Sequence, residues 1–149
     1  MILNLGCGSR PMESAVNHDK IKHSNWVDIA HDLNIYPWPF QNCEFETIYM
    51  IDVLEHLVDV VKSLEECHRI LRHGGLLHLE VPFAGDLRGF RDPTHIHWFT
   101  EGSFDYFIHG SYWEEHYGFY SKMRWVKKEY HTSPEGDNLY WILEKPLCN

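Results

Sequence analysis

Four apolar segments in the first third of the chain each stop at a glycine or an aspartate, and this pattern restricts the fold more than any other feature. The segments span residues 2–5, 15–18, 26–30 and 45–51, and the residues that close them are Gly6, Asp19, Asp32 and Asp52. Short apolar runs bounded by turn residues are typical of buried β-strands. Core packing alone does not require such an ending four times in succession. Because ligands bind at the carboxyl ends of parallel strands, the pattern predicts a parallel sheet with a binding site at that edge.

The rest of the chain predicts two helices and three more strands. Apolar residues recur at helical spacing from Leu54 to Leu71, ahead of Gly74, which can close a helix. Thr100 is a suitable N-cap for a second helix that ends at Gly110. Further strands are predicted over residues 76–81, 122–131 and 138–144. This order predicts one α/β domain over all 149 residues, with a doubly wound, mostly parallel sheet and an antiparallel hairpin at one end.

The composition excludes several classes of protein. Acidic residues outnumber basic ones by 22 to 13, so a basic surface is absent and no nucleic-acid partner is expected. No apolar run approaches the roughly 18 residues of a membrane span, so no membrane partner is expected. The four cysteines form no C-x-x-C pair, which excludes a zinc ribbon and fits reduced thiols. The first residues lack the basic region and cleavage site of a signal peptide, so a cytoplasmic protein is expected.

The motifs at the strand ends resemble those of class I S-adenosylmethionine (SAM)-dependent methyltransferases. The resemblance is carried by residues 2–8, 16–19, 31–33, 37–40, 45–49, 52–57 and 66–75. Together these motifs are specific, whereas the glycine turn alone would be weak evidence. The final hairpin also matches the last two antiparallel strands of the family. The resemblance implies a seven-stranded sheet of order 3-2-1-4-5-7-6 whose last strand is antiparallel, with reduced helices on one face.

The resemblance also implies how SAM is held. Gly6 and Gly8 would let its methionine portion lie against the turn, and Asp19 would accept hydrogen bonds from the ribose hydroxyls. Asp32 would bind the adenine amine, with Leu33 packed on the ring. The expected cofactor-binding residues are Leu5, Gly6, Cys7, Gly8, Asn17, Asp19, Asp32, Leu33 and Asp52.

The early part of the chain departs from the family pattern in two ways. Ser9-Arg10-Pro11 replaces the usual third glycine of the turn. The segments between the early strands are too short, or too rich in proline, for the usual helices. One face of the sheet is therefore expected to be thinly covered, and the chain is expected to self-associate as a homodimer.

Methyl transfer to a hydroxyl or amine that starts protonated benefits from a base whose pKa lies near the working pH. The candidates for this role are His56, Asp92, His95 and His97. His95 and His97 follow the fifth strand, above the expected acceptor pocket. Their H-x-H spacing supplies only two ligands, and no third can be named, so no metal site is predicted. Glu55 and His56 open the predicted helix, where an acid suits the positive end of the helix dipole whatever the chemistry.

The expected function is methyl transfer from SAM to an unidentified small molecule or polar metabolite. Two alternatives stay open. One is a non-catalytic domain that binds SAM, S-adenosylhomocysteine (SAH) or a protein partner, and the other is a nicotinamide-dependent oxidoreductase. The oxidoreductase is less favoured because G-x-G-x-x-G would require glycine at Pro11. In such an oxidoreductase the acid that binds the ribose is also expected about 20 residues after the glycine turn, whereas Asp19 lies closer to that turn.

Overall fold

The computed structural model describes residues 1–147, so Cys148 lies outside the described residues. Seven strands form one sheet. They are β1 (Ile2–Leu5), β2 (Ala15–Asp19), β3 (Ile29–Ala30), β4 (Phe45–Ile51), β5 (Leu71–Pro82), β6 (Val126–Thr132) and β7 (Asn138–Glu144). The spatial order β3-β2-β1-β4-β5-β7-β6 confirms the prediction. Neighbours pair in parallel from β3 to β5, whereas β7 is antiparallel to both β5 and β6, as predicted.

Within residues 1–147, the helical structure is sparse. The helices are α1 (Val60–Ile70) and α2 (Tyr112–Tyr117), and short 3₁₀ turns form at Leu54–His56, Leu87–Phe90, Asp105–Phe107 and Gly118–Tyr120. None of the helices in this part of the chain has the length and apolarity needed to cross a membrane.

The helix predicted over residues 54–71 starts later than expected. After a 3₁₀ turn, α1 begins where the Asp59 side chain accepts the backbone N–H of Lys62, which is a typical N-cap. The chain passes directly into β5 at Leu71, where pairing with β4 begins and the register then shifts. Gly74, with φ of +76°, lies in this irregular stretch of β5 rather than at a helix end.

The helix predicted from Thr100 to Gly110 is wrong, since only the 3₁₀ turn Asp105–Phe107 forms there. The carbonyl of Phe107 accepts the N–H of Trp125, and this contact with an extended segment replaces helical hydrogen bonds. Helix α2 has no sequence signal of its own because none of its residues is buried. Strands β3 and β6 also begin later than predicted.

The two faces of the sheet are covered unequally. Strand pairing places Leu3, Ile48 and Leu77 in one row, and all three are fully buried. The neighbouring row on the opposite face includes Tyr49 and His78, whose rings stack 4.5 Å apart and remain partly exposed. The expected reduction of helical cover on one face is therefore confirmed. Self-association across this face stays a prediction.

A proline-rich segment packs beside α1 in place of a helix. Trp38 and Phe40 are buried in the core. The backbone N–H of Trp38 donates to Glu66 Oε2 at 2.7 Å, and Arg69 forms two further 2.7 Å hydrogen bonds with the same carboxylate. One carboxylate on α1 thus anchors both the segment and the helix.

We expect Glu66→Gln to lower the free energy of unfolding by about 2 kcal/mol, because it breaks a mostly buried, charge-assisted network. Urea unfolding measures the loss. Glu46→Gln is the matched control, since the exposed Glu46 carboxylate also pairs with an arginine, Arg72. That change is expected to cost less than about 1 kcal/mol. Equal losses in the two variants would contradict the role of Glu66.

Candidate functional site

The turn after β1 requires glycine at its first position. Gly6 has φ of +62°, and a Cβ there would lie 2.4 Å from Val53 Cγ2. Gly8 also has a positive φ, of +51°. Left-handed backbone and close approach both favour glycine. The turn therefore leaves bare backbone at the end of β1, where a ligand can approach it.

A buried histidine links this turn to the loop after β3. The N–H of Gly6 donates to His18 Nδ1 at 3.5 Å, and His18 Nε2 donates to the His31 carbonyl at 2.9 Å. The His18 side chain is 1% exposed, and burial lowers its pKa to about 4, so the imidazole is neutral. His18 thus fixes the separation between the glycine turn and the residues that precede Asp32.

Asp19 closes β2 and faces the glycine turn. Its Oδ2 accepts the N–H of Gly8 at 2.7 Å, and its Oδ1 accepts the N–H of Lys20 at 2.7 Å. His23 Nε2 lies 3.4 Å from Oδ2. Burial by itself would raise the pKa of Asp19, but these donors outweigh it and hold the pKa below its usual value. The carboxylate is therefore ionised and able to accept further hydrogen bonds.

Asp32 follows β3 and is also ionised. Its Oδ1 accepts the N–H of Asn34 at 3.0 Å, and its Oδ2 lies 3.0 Å from Lys20 Nζ. Both contacts lower the pKa of Asp32. The neighbouring Leu33 is buried, and its carbonyl accepts Trp38 Nε1 at 2.9 Å. The proline-rich segment therefore positions the Asp32–Leu33 pair.

These strand ends enclose a pocket of about 320 Å³. The predicted residues that line it are Gly6, Asp19, Asp32, Leu33 and Asp52. The other four predicted residues, Leu5, Cys7, Gly8 and Asn17, lie outside its lining. Leu5 and Cys7 are buried beneath the turn, Gly8 supports Asp19, and the Asn17 amide bonds Asn4 and the backbone of Met12. These four residues shape the turn instead of facing the pocket.

Asp52 has a strained backbone at the junction of two pockets. Its φ is +54°, which is uncommon for a residue other than glycine and is often found at functional sites. Its carboxylate contacts Arg10 Nη2 at 3.1 Å and Asn138 Nδ2 at 3.3 Å. Asp52 and His56 line both the first pocket and a second one of about 290 Å³. The two pockets therefore adjoin.

A buried glutamate and two histidines meet in the second pocket. Glu55 Oε1 lies 4.0 Å from His56 Nε2 and 3.9 Å from His95 Nε2. Glu55 is 1% exposed, and neither of its carboxylate oxygens has a hydrogen-bond partner among the described residues. Burial, with smaller contributions from the negative charges of Asp52 and Asp92, raises the pKa of Glu55 to about 8.

The loop after β5 folds back on Glu55 and brings His95 to this pocket. The N–H groups of Ile96 and His97 both donate to the Glu55 carbonyl, at 3.0 and 3.3 Å. Asp92 also lines the second pocket, and its Oδ2 lies 4.0 Å from His95 Nε2. Three of the four predicted catalytic residues are therefore brought together.

His97 is separated from the other three. Its Nε2 lies 3.3 Å from the Val58 carbonyl, and its side chain lines a different cleft beside Trp98. The two histidines of the H-x-H pair thus face different parts of the molecule. Sequence spacing could not show this, since alternate residues of an irregular loop need not share a face.

Part of the chain is similar to known proteins. Residues 8–79 match the family described as "Methyltransferase domain". Over 70 residues the chain is 31% identical to a Mycolicibacterium smegmatis protein described as a "Probable S-adenosylmethionine-dependent methyltransferase". That match covers 47% of this chain and 26% of the relative. The chain therefore spans only about a quarter of the relative's length. Over about half of its length, the chain is therefore similar to SAM-dependent methyltransferases.

Solved structures show the same methyltransferase fold at low sequence identity. One is the Burkholderia thailandensis 1,6-didemethyltoxoflavin-N1-methyltransferase with bound 1,6-didemethyltoxoflavin and SAH. It is 12% identical, with a TM-score of 0.62 over 97% of this chain and 70% of that chain. Another is the [4+2]-cyclase SpnF, which is 10% identical, with a TM-score of 0.69 over 99% of this chain and 74% of that chain. The fold alone therefore does not decide the reaction of a methyltransferase-like domain.

Sequence reasoning missed two residues of this candidate site. His18 gave no signal because a lone histidine in a strand is usually a core residue. Glu55 was interpreted as a helix-opening acid, and its burial depends on the loop some 40 positions further along the chain. A strained Asp52 and a buried Glu55 so close together in sequence could only be recognised from the folded chain.

Proposed function

We propose that this chain transfers the methyl group of SAM to a hydroxyl or amine of a small polar molecule. The observation that carries the proposal is a pair of adjoining pockets at the carboxyl ends of the strands. The first offers a glycine turn and two ionised acids, and the second offers histidines and carboxylates. Asp52 and His56 line both.

The residues of the first pocket fit SAM. Gly6 lines this pocket with bare backbone, which the methionine portion of SAM can approach closely. Asp19 can accept the ribose hydroxyls, and Asp32 can accept the adenine amine in exchange for Lys20. When bound, SAM supplies an electrophilic methyl group. The match of residues 8–79 to the methyltransferase family and the SAH bound in a protein of the same fold support this cofactor.

The second pocket supplies the groups that an acceptor needs. Holding the acceptor beside the first pocket provides an effective concentration on the order of 10⁵ M. A hydroxyl or amine must also lose a proton, and Nε2 of His56 and of His95 face this pocket. Asp92, near His95, can stabilise a protonated imidazole.

We expect His95→Ala to lower kcat by about a hundredfold or more, because it removes a proton acceptor from the pocket. His97→Ala is expected to change kcat by less than about tenfold, because its side chain faces the Val58 carbonyl. Initial rates of SAH formation with an acceptor found by screening measure both effects. His116→Ala, an exposed change on α2, is the control. A larger loss in His97→Ala than in His95→Ala would contradict the assignment.

The proposal is tested first by calorimetric titration with SAM, SAH and NAD, and then by a screen of hydroxyl and amine acceptors for SAH formation. We expect binding of SAM and SAH, no binding of NAD, and turnover with an acceptor from the screen. Binding without turnover across the screen would favour the non-catalytic alternative. Binding of NAD alone would favour the oxidoreductase.

A further inference from the structure

The second pocket contains three atoms that carry lone pairs and point toward one another. Glu55, His56 and His95 each offer one ligand atom, and the three atoms lie within 4.8 Å of one another. Glu55 Oε1 is near Nε2 of both histidines. The two distances from the glutamate oxygen are 4.0 and 3.9 Å, too long for hydrogen bonds. The arrangement therefore has converging ligand atoms without a direct bond among them.

The hydrogen bonds of the two rings determine which nitrogen carries the proton. His95 Nδ1 lies 2.8 Å from the Gly89 carbonyl, which can only accept, so Nδ1–H donates and Nε2 keeps its lone pair. His56 Nδ1 lies 3.0 Å from Thr94 Oγ1. That hydroxyl gives its own proton to Asp92 Oδ1, so His56 Nδ1–H is again the donor. Both neutral rings thus present Nε2 lone pairs toward Glu55.

This pattern is the one found around metal-bound histidines, where the second ring nitrogen donates to a carbonyl, carboxylate or similar group. The buried, unpartnered Glu55 carboxylate completes the ligand set. Desolvating a carboxylate without a partner is costly, and a cation among the three atoms removes that cost. We propose that Glu55, His56 and His95 bind a divalent transition-metal ion, of which Zn²⁺ is the representative.

The chemistry of the ligands favours this class of ion. Two imidazoles and one carboxylate suit zinc and its first-row neighbours, whereas Mg²⁺ and Ca²⁺ prefer oxygen ligands only. Ligand atoms around tetrahedral zinc lie about 3.4 Å apart, so each distance from Glu55 must shorten by roughly half an ångström. Rotation of the side chains can provide such a movement.

A second cluster, Cys7, Asp19 and His23, has comparable spacing but weaker chemistry. Burial raises the pKa of the Cys7 thiol, which disfavours the thiolate that metals require. Both Asp19 oxygens already accept backbone N–H groups. The cluster also belongs to the proposed cofactor pocket, so it does not compete as a metal site.

Three protein ligands leave a coordination position open, as in catalytic zinc sites. That position faces the second pocket, where the proposed function places the acceptor. Binding of the ion does not depend on the proposed function, but the role of the ion in the reaction rests on it. An acceptor hydroxyl bound there would be acidified by the ion and could release its proton to Asp92, which lines the same pocket. Without the ion, the His95 imidazole remains the proton acceptor, so loss of His95 lowers the rate in either case.

The test is a titration of metal-free protein with Zn²⁺ in competition with a chromophoric chelator, with neither SAM nor acceptor present. We expect one ion per chain. Glu55→Gln keeps the shape of the side chain and is expected to weaken binding by about a hundredfold or more, as is His95→Ala. His97→Ala, the other histidine of the H-x-H pair, is expected to bind as the wild type does. Thermal unfolding of the metal-free variants verifies that they are folded.

A Co²⁺ titration adds a spectroscopic readout, since a four-coordinate site gives intense visible absorption. Absence of saturable binding of both ions to the wild type would overturn the inference. So would wild-type affinity in both Glu55→Gln and His95→Ala, or loss of binding in His23→Asn, which would place the ion at the other cluster. Protein that binds SAH but not Zn²⁺ would refute this inference alone, and protein that binds Zn²⁺ but neither SAM nor SAH would refute the proposed function alone.

Discussion

Asp19→Asn is expected to lower the affinity for SAH by about a hundredfold or more. The Asp19 carboxylate accepts the N–H groups of Gly8 and Lys20 and, in the proposed complex, the ribose hydroxyls. Hydrogen bonds to a charged group contribute about 1.5–3 kcal/mol each, and every 1.4 kcal/mol is about tenfold in affinity. The amide of asparagine can replace only part of this acceptor set. Calorimetric titration of both proteins with SAH measures the ratio.

The matched control is Asp105→Asn, which neutralises a partly exposed aspartate on a distant 3₁₀ turn. It is expected to bind SAH like the wild type. Thermal unfolding without ligand separates a binding defect from misfolding, because Asp19 also supports the turn at Gly8. A folded Asp19→Asn variant with unchanged affinity would refute the placement of the ribose.

A second large effect concerns the dependence of stability on pH. Burial, with a further contribution from the charge of Lys145, lowers the pKa of His68 to about 4 from an ordinary value of 6.5. The unfolded chain therefore binds a proton below pH 6.5 that the folded chain does not bind. The His68 contribution is fully present above pH 6.5, declines as the pH falls, and is lost at about pH 4. A difference of this size corresponds to about 3 kcal/mol.

The comparison that isolates this contribution is wild type against His68→Gln, by urea unfolding between pH 7.5 and 4.5. The stability of the wild type relative to the variant is expected to decrease over that range, because glutamine does not titrate. His116→Gln, on the exposed helix α2, should leave the pH dependence unchanged. Parallel stability curves for wild type and His68→Gln would contradict a buried, neutral His68.

The strand ends could be predicted because the signals that determine them are local. A glycine with positive φ and an aspartate beside an N–H group act within a few residues of the strand they close, as Gly6 and Asp19 do. The sheet order followed from the family resemblance, and the pairing confirms it. Local signals were therefore enough to predict the strand ends and several residues that line the first pocket, whereas the sheet order required the resemblance.

The second pocket depends on contacts between distant parts of the chain. The loop after β5 donates two hydrogen bonds to the Glu55 carbonyl, and no local pattern encodes that contact. The wrong helix after Thr100 has the same origin, since the partner of Phe107 is Trp125 in a later segment. The helical spacing of the aromatic residues after Thr100 therefore indicates only that these residues are buried. Hydrogen bonding to a distant segment determines the backbone conformation.

Asp52 and His56 line both pockets, so in the proposed complex we expect the binding of cofactor and acceptor to be interdependent. By thermodynamic linkage, a cofactor that changes the affinity for the acceptor by some factor has its own affinity changed by the acceptor by the same factor. Such cooperativity commonly amounts to about 5–150-fold. An acceptor can therefore be recognised before any turnover is detected, as the compound that changes the dissociation constant of SAH. A search made on the ligand-free chain would overlook acceptors whose binding depends on an occupied first pocket.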